Sequence, residues 1–359
     1  MIHSYTSFGK LREVIVGREL DLDRRVMDMT FKYFYKEALG KVIYDSPLDG
    51  YKVSYDLVVR RNMQLDGLAS VLESFGVKVH RPKKVDKVVR FQTPTFKSET
   101  SSASNVRDIT LVYGNTIVET PTYIRNRYFE NRALYEIFSG CWDMGRGGRW
   151  IKAPLTDLTE KTMDLEDWRI KRDFSKVDPR FEMAVDAAQF MRIGKDVICN
   201  VSTYNHFIGF QWMKSLFPKS DFHMVQMTDN HIDGAVVCLK PGVFLCDPIY
   251  GGNVRDQMPE KFKSWKFIYP ENLPPNKDVT GMTDADIRLA SSRGMDINVL
   301  SVDENTVIAS EQAVGVIKAL EENGFTVCPV RLENGEIFGG GIHCSTLDLV
   351  RDGDFLDYG

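Results

Sequence analysis

One unit recurs along this chain: an apolar strand, a tight turn, a second apolar strand, a helical pattern, then a lone strand. Residues 108–119 carry two short apolar runs about Gly114-Asn115, residues 186–199 about Gly194-Lys195, residues 233–245 about Pro241-Gly242, and residues 298–309 about Glu304-Asn305. Apolar runs broken by such turn residues read as hairpins. Helical spacing over 128–138, 207–216 and 313–320 follows three of them, and each helical stretch leads into one more strand, at 149–151, 222–225 and 326–330. At the N-terminus a strand at 11–17 is followed by a helical pattern over 58–74, a Phe75-Gly76 stop and a strand at 77–82. Joined to the last segment, around Cys344, these make a fifth unit. Units that bury one face only against their neighbours form stacked or cyclic arrays. Because the two chain ends share a unit, the sequence predicts a closed ring: an α/β, five-fold pseudosymmetric propeller of strand-strand-helix-strand modules. Residues 21–56 are charged and aromatic without a period and read as an irregular or partly helical excursion. No low-complexity linker divides the chain, so residues 1–359 read as one domain.

The balance of charge narrows the partners. A net charge of -4 on 359 residues, without a long basic cluster, gives nucleic acid nothing to hold. Arg125, Arg127 and Arg132, interrupted by Glu130, read as one helix face. No apolar stretch approaches a membrane span, and the start of the chain has neither a signal-peptide nor a transit pattern, so a cytoplasmic protein is expected. The six cysteines form no Cys-x-x-Cys pair. That spacing supports neither a disulfide framework nor a zinc site.

Cys344 stands apart from the other five. It ends Gly339-Gly340-Gly341-Ile342-His343-Cys344, and three glycines weaken a core while allowing positive φ or close approach of the backbone. A thiol carried by such a loop reads as a nucleophile. Aspartates open three of the hairpins, Asp108, Asp186 and Asp233, and a ring would bring them to one end. His231 and Asp233 are two apart, so on an extended segment both point the same way. By the same logic His343 faces away from Cys344 and reads as a packed or supporting residue. Several carboxylates and one thiol suit a planar cation: two carboxylates grip the guanidinium fork and present its central carbon to sulfur.

Val185-Asp186-Ala187-Ala188, His231-Ile232-Asp233 and the glycine-histidine-cysteine run, with Arg107-Asp108, Arg125-Asn126-Arg127 and Asn298-Val299-Leu300, resemble the arginine amidinotransferase family of the pentein fold over nearly the whole chain. The resemblance implies that Cys344 attacks the guanidino carbon of L-arginine, that His231 is the acid and then the base, and that Asp186 orients His231. Asp108 and Asp233 would hold the guanidinium, with Arg107, Asn230, Tyr250, Ser291 and Ser292 also at the substrate. It implies no metal, no organic cofactor, only small-molecule substrates, and a homodimer.

Two departures bear on the substrate. Tyr250 stands where many members carry an arginine for the amino-acid carboxylate, with Arg255 a few residues on, and Asn230 replaces a residue typical of the glycine-acting enzymes. A larger amine acceptor, as in guanidino natural-product or toxin pathways, is expected. The competing readings are an arginine deiminase-like hydrolase, in which water takes the place of the amine, and a non-catalytic binding module of the same fold.

Overall fold

The computed structural model describes residues 2–20, 24–25, 28–34, 51–85, 87–142, 145, 147–248, 254–271 and 296–359. Within them the recurring unit is a three-stranded sheet, formed five times in the same order. The first sheet joins the chain ends: Thr346–Arg351, Leu11–Val16 and Lys78–His80. The second is Thr110–Tyr113, Thr116–Glu119 and Arg149–Lys152; the third is Phe190–Ile193, Asp196–Asn200 and Asp221–Val225. The fourth is Val236–Lys240, Val243–Cys246 and Lys266–Ile268; the fifth is Leu300–Ser301, Thr306–Ser310 and Thr326–Val330. In every sheet the first two strands pair antiparallel and the third returns parallel to the second. A parallel return needs a crossover, which is why a helical stretch precedes each lone strand.

Local chemistry sets the helix bounds. Ser54 Oγ accepts from Leu57 N at 3.4 Å and starts Tyr55–Ser74; Thr203 Oγ1 accepts from His206 N at 3.1 Å and starts Tyr204–Leu216. These caps place both helices three residues ahead of the starts expected from apolar spacing. The stretch expected as one helix over 128–138 is a 3₁₀ segment, Glu130–Leu134, leading into Tyr135–Cys141. In the fourth unit the described part of the crossover holds two short helical turns, Val254–Gln257 and Glu260–Phe262. The excursion over 21–56 lies mostly outside the described residues; its helix Met29–Phe34 and the strands Arg24–Arg25 and Tyr51–Lys52 are described.

The apolar core is distributed between the sheets. Ile15 and Leu347 of the first pack with Val112 and Ile117 of the second. Leu111 and Val118 of the second pack with Phe190 and Val197 of the third. Met191 and Ile198 meet Val236 and Phe244. Val237 and Leu245 meet Val307. Leu300 and Ile308 of the fifth meet Val14 and Val16 of the first. Each sheet buries apolar area against the next, and the last does so against the first, so no unit is stable by itself. Among the described residues no helix is long and apolar enough to cross a membrane.

Candidate active site

The loop that carries Cys344 is shaped by sterics. The turn Gly335–Phe338 ends on Gly339 with φ +70°, a conformation open to glycine. A Cβ on Gly340 would fall 2.3 Å from Asn105 Oδ1 and 2.7 Å from Cys344 Cβ, and one on Gly341 would fall 2.8 Å from Asn298 Cβ. The positive φ expected from sequence is present at Gly339, and at Gly340 and Gly341 the groups that approach the backbone include the protein's own Asn105 and Asn298. Arg61, 1% exposed on Tyr55–Ser74, ties the loop down: its Nη2 donates to Gly340 O at 2.8 Å and Ser345 Oγ at 3.0 Å, and its Nη1 to Glu333 O at 3.2 Å.

Cys344 is 2% exposed. Its Sγ accepts from Asn298 Nδ2 at 3.2 Å and donates to Asp233 Oδ2 at 3.4 Å, while Asn298 Oδ1 accepts from the Cys344 N–H at 3.0 Å. Burial, then the charges of Asp233 and Asp108, push the thiol well above its ordinary value, against the pull of the Asn298 amide. The thiol is therefore protonated at neutral pH.

Asp233 Oδ2 also accepts from His343 Nδ1 at 2.8 Å. Burial and the nearby Arg107 charge lower the His343 imidazole, so a neutral ring supplies that hydrogen. Against the opposing effect of burial, this bond and the charges around it lower Asp233 to about 2. The expectation that His343 supports the site agrees with this contact, but its premise does not hold: residues 342–345 form a turn, with no extended run. Likewise Asp233 lies in the 3₁₀ turn Ile232–Gly234, capped by His231, so the two do not share a strand face. The turn brings them close by another route, and the Asp233 charge still acts on the imidazole.

His231 Nε2 lies 3.0 Å from Asp186 Oδ2. Asp186 is fully buried, and its Oδ1 accepts from Tyr123 N at 3.3 Å. Burial lowers the imidazole, but Asp108, the Asp186 hydrogen bond and charge, and Asp233 outweigh it and raise His231 to about 9. Burial likewise works against ionised Asp186, and the bond and charge of His231 hold the carboxyl below its usual range. At neutral pH the site thus pairs a protonated imidazole with a protonated thiol. The Phe34 ring sits 5.0 Å from the imidazole, edge to face.

Asp108 is fully buried, and burial raises its carboxyl against the opposing charge of Arg127. Its Oδ2 accepts from Arg127 Nη1 at 2.6 Å, whereas Oδ1 has no hydrogen-bond partner among the described residues. Asn105 Oδ1 is a second buried acceptor in that position. An orphaned buried carboxylate oxygen is costly unless a donor arrives. Arg127 is 6% exposed and held by Glu130 at 2.7 and 2.8 Å. This corrects the helix-face reading of Arg127: it is an internal counter-charge.

The structure brings Cys344, His231, Asp186, Asp108 and Asp233 together and does not bring all the remaining candidates with them. Arg107, expected at the substrate, has other partners: its Nε donates to His343 O at 2.9 Å and its Nη2 to Asp348. Asp348 also accepts from Arg192 Nη2 and Arg351 Nε, each at 2.6 Å, so Arg107 belongs to a buried ion cluster around Asp348 on the strand Thr346–Arg351. Asn230 gives its amide to Phe34 O at 3.1 Å. Tyr250, Ser291 and Ser292 lie outside the described residues. Asn298, Arg61 and Arg127 reach the site without having been expected there from sequence. Asn298 and Arg127 sit in quoted motifs, but no spacing rule links them to residue 344 or 108; Arg61 has no local signal.

No family model matches the chain. It is 32% identical over 375 residues to an L-arginine:L-lysine amidinotransferase of Pseudomonas savastanoi pv. phaseolicola, covering 99% of this chain and 96% of the relative. It is 30% identical over 379 residues to the mitochondrial glycine amidinotransferase of Xenopus laevis, covering 99% and 84%. Among solved structures, an amidinotransferase of the saxitoxin biosynthetic pathway from Microseira wollei superposes with a TM-score of 0.80 at 28% identity, covering 100% of this chain and 99% of that one.

Proposed function

From the premise that this chain belongs to the amidinotransferase family, with its pentein α/β fold, we propose that it moves the amidino group of L-arginine to a primary amine through a covalent amidino-cysteine. The observation that carries this reading is the pair of carboxylates beside the thiol, Asp233 bonded to Cys344 Sγ and Asp108, whose Oδ1 has no partner among the described residues. A guanidinium supplies the donors that both oxygens accept.

In this reading the cation bonds to Asp108 Oδ1 and displaces the thiol from Asp233 Oδ2. Its positive charge offsets the carboxylates that keep sulfur protonated. Sulfur loses its proton and bonds to the guanidino carbon. The bond from that carbon to the δ-nitrogen breaks, and the His231 imidazolium protonates the departing nitrogen, releasing ornithine. The thiol's proton restores the histidine, so the balance closes on an amidino-thioether and a neutral amine at the former δ-nitrogen. The neutral acceptor amine then bonds to the same carbon and the carbon–sulfur bond breaks; His231 gives its proton to the departing sulfur and takes one from the amine, so thiol and imidazolium are both restored. Asp186 keeps the imidazole in orientation and favours its charged form, as the third member of a triad does. Asn298 Nδ2, donating to Sγ, stabilises the thiolate whenever it forms.

The five sheets are modules of one ring-shaped domain, supported by the packing of each on the next and of the fifth on the first. The acceptor is an amine larger than glycine, of the kind used in natural-product or toxin assembly, supported by Tyr250 at the position where many members carry arginine. The test is incubation with L-arginine and a panel of amines, following ornithine and the new guanidine by mass. Ornithine formed together with an amidinated amine is the expected result. Citrulline and ammonia formed without any amine would replace the transferase by a hydrolase, and glycine as the preferred acceptor would overturn the larger amine.

A further inference from the structure

Away from the candidate active site, at the boundary of the first and second sheets, three side chains of different chemistry converge. Glu13 lies on Leu11–Val16, His80 on Lys78–His80, and Cys141 ends the helix Tyr135–Cys141. Glu13 Oε1 is 2.5 Å from His80 Nε2 and 3.5 Å from Cys141 Sγ, and the three donor atoms all lie within 4.8 Å of one another. The side chains are mostly sheltered: Glu13 is 14% exposed and His80 20%. The pairing of Leu11–Val16 with Thr346–Arg351 is irregular on both sides of Glu13. Such an interruption re-aims a side chain out of the regular ladder.

We infer that Glu13, His80 and Cys141 form a binding site for a zinc-type divalent cation, clipping the first sheet to the helix of the second unit. The donor set is one carboxylate oxygen, one imidazole nitrogen and one sulfur, which suits a borderline-soft ion and not magnesium or calcium. In a tetrahedral zinc site with bonds of about 2.0–2.3 Å, neighbouring donors stand roughly 3.5 Å apart. The Cys141–Glu13 separation already has that value. Glu13 and His80 are closer because they now share a hydrogen. On binding that hydrogen leaves Nε2, the neutral imidazole carrying its one proton on Nδ1, the Cys141 S–H proton goes to solvent, and the carboxylate and thiolate neutralise the ion. Lys78 Nζ, 3.2 Å from Glu13 Oε1 and 66% exposed, withdraws into water, and water completes the fourth position.

The site is tested with purified full-length protein and Zn2+ or Co2+ alone, near neutral pH. One equivalent of metal should remain after gel filtration. Co2+ should give a thiolate-to-cobalt charge-transfer band. Both should persist in Cys344→Ser, which removes the other candidate thiol, and both should be lost in Cys141→Ser. His80→Gln and Glu13→Gln, at partly exposed positions, should weaken binding at least tenfold, and Zn2+ should raise the thermal midpoint of the wild type but not of Cys141→Ser. Absence of the band in the wild type, or a band that disappears with Cys344 and not with Cys141, would overturn the inference.

Discussion

Cys344 Sγ donates to Asp233 Oδ2, the same oxygen that receives the His343 hydrogen. That carboxylate therefore stabilises the protonated thiol. The thiol and the His343 imidazole are coupled through one oxygen.

That coupling predicts a guarded nucleophile. Alkylation of Cys344, followed by peptide mass, should be slow at neutral pH and rise with a midpoint above the ordinary thiol range, because burial and two carboxylates hold the thiol up. Asp233→Asn should shift the midpoint down by about one unit, a roughly tenfold faster reaction at neutral pH. A midpoint at or below the ordinary thiol value in the wild type would contradict the charge state described here.

The raised imidazole predicts an alkaline limb. Ornithine release in the first half-reaction should fall as pH climbs through about 9, where His231 loses the proton it gives to the leaving nitrogen. Asp186→Asn removes a bond and a charge that raise this group, so the limb should move to lower pH, with kcat falling roughly 10²–10⁴-fold. The stability effect has the matching sign. The folded value lies above the unfolded value of about 6.5, so the contribution is full below that pH and is lost as pH rises through about 9. The stability gap between wild type and His231→Gln should shrink over that interval, as measured by denaturant titration.

The unpaired oxygen of Asp108 predicts a binding defect. Asp108→Asn keeps the volume and forfeits a charged acceptor, so arginine should bind about 10–100-fold more weakly, read as KM or by calorimetry. Because Asp108 also faces Arg127 at 2.6 Å inside the protein, the same variant should lose several kcal/mol of stability, on the order of what breaking a buried pair costs. Unchanged arginine affinity in a folded Asp108→Asn protein would remove Asp108 from the site.

The glycine run predicts a positional effect. Gly340→Ala sets a methyl against Asn105 Oδ1 and Cys344 Cβ, so the loop must shift. Displacement of a reacting atom by about 1 Å can cost roughly 10²-fold in rate. Activity should fall by about that factor while the circular dichroism stays native. Arg61→Met, which releases Gly340 O and Ser345 Oγ from the same loop, should reduce activity in the same direction.

The modular count, and the glycine-rich context that sets Cys344 apart from the other five cysteines, are legible in the sequence by itself. Hairpin turns, alternating apolar strands and helical spacing are local signals, and five of them in one order leave few architectures. The glycines before Cys344 and the His-x-Asp spacing of His231 and Asp233 are local as well. Only the tertiary structure decided which groups share the site. It set Asn298 on a sulfur 46 residues away and Asp233 on the same sulfur from 111 residues away. It turned Arg107 onto Asp348, placed Arg127 inside as the partner of Asp108, and left one oxygen of Asp108 without a hydrogen-bond partner among the described residues. The physical reason is that periodicity fixes the direction of a side chain relative to its own segment. Partners, burial and charge state come from the segments packed against it, and those are chosen by the fold as a whole.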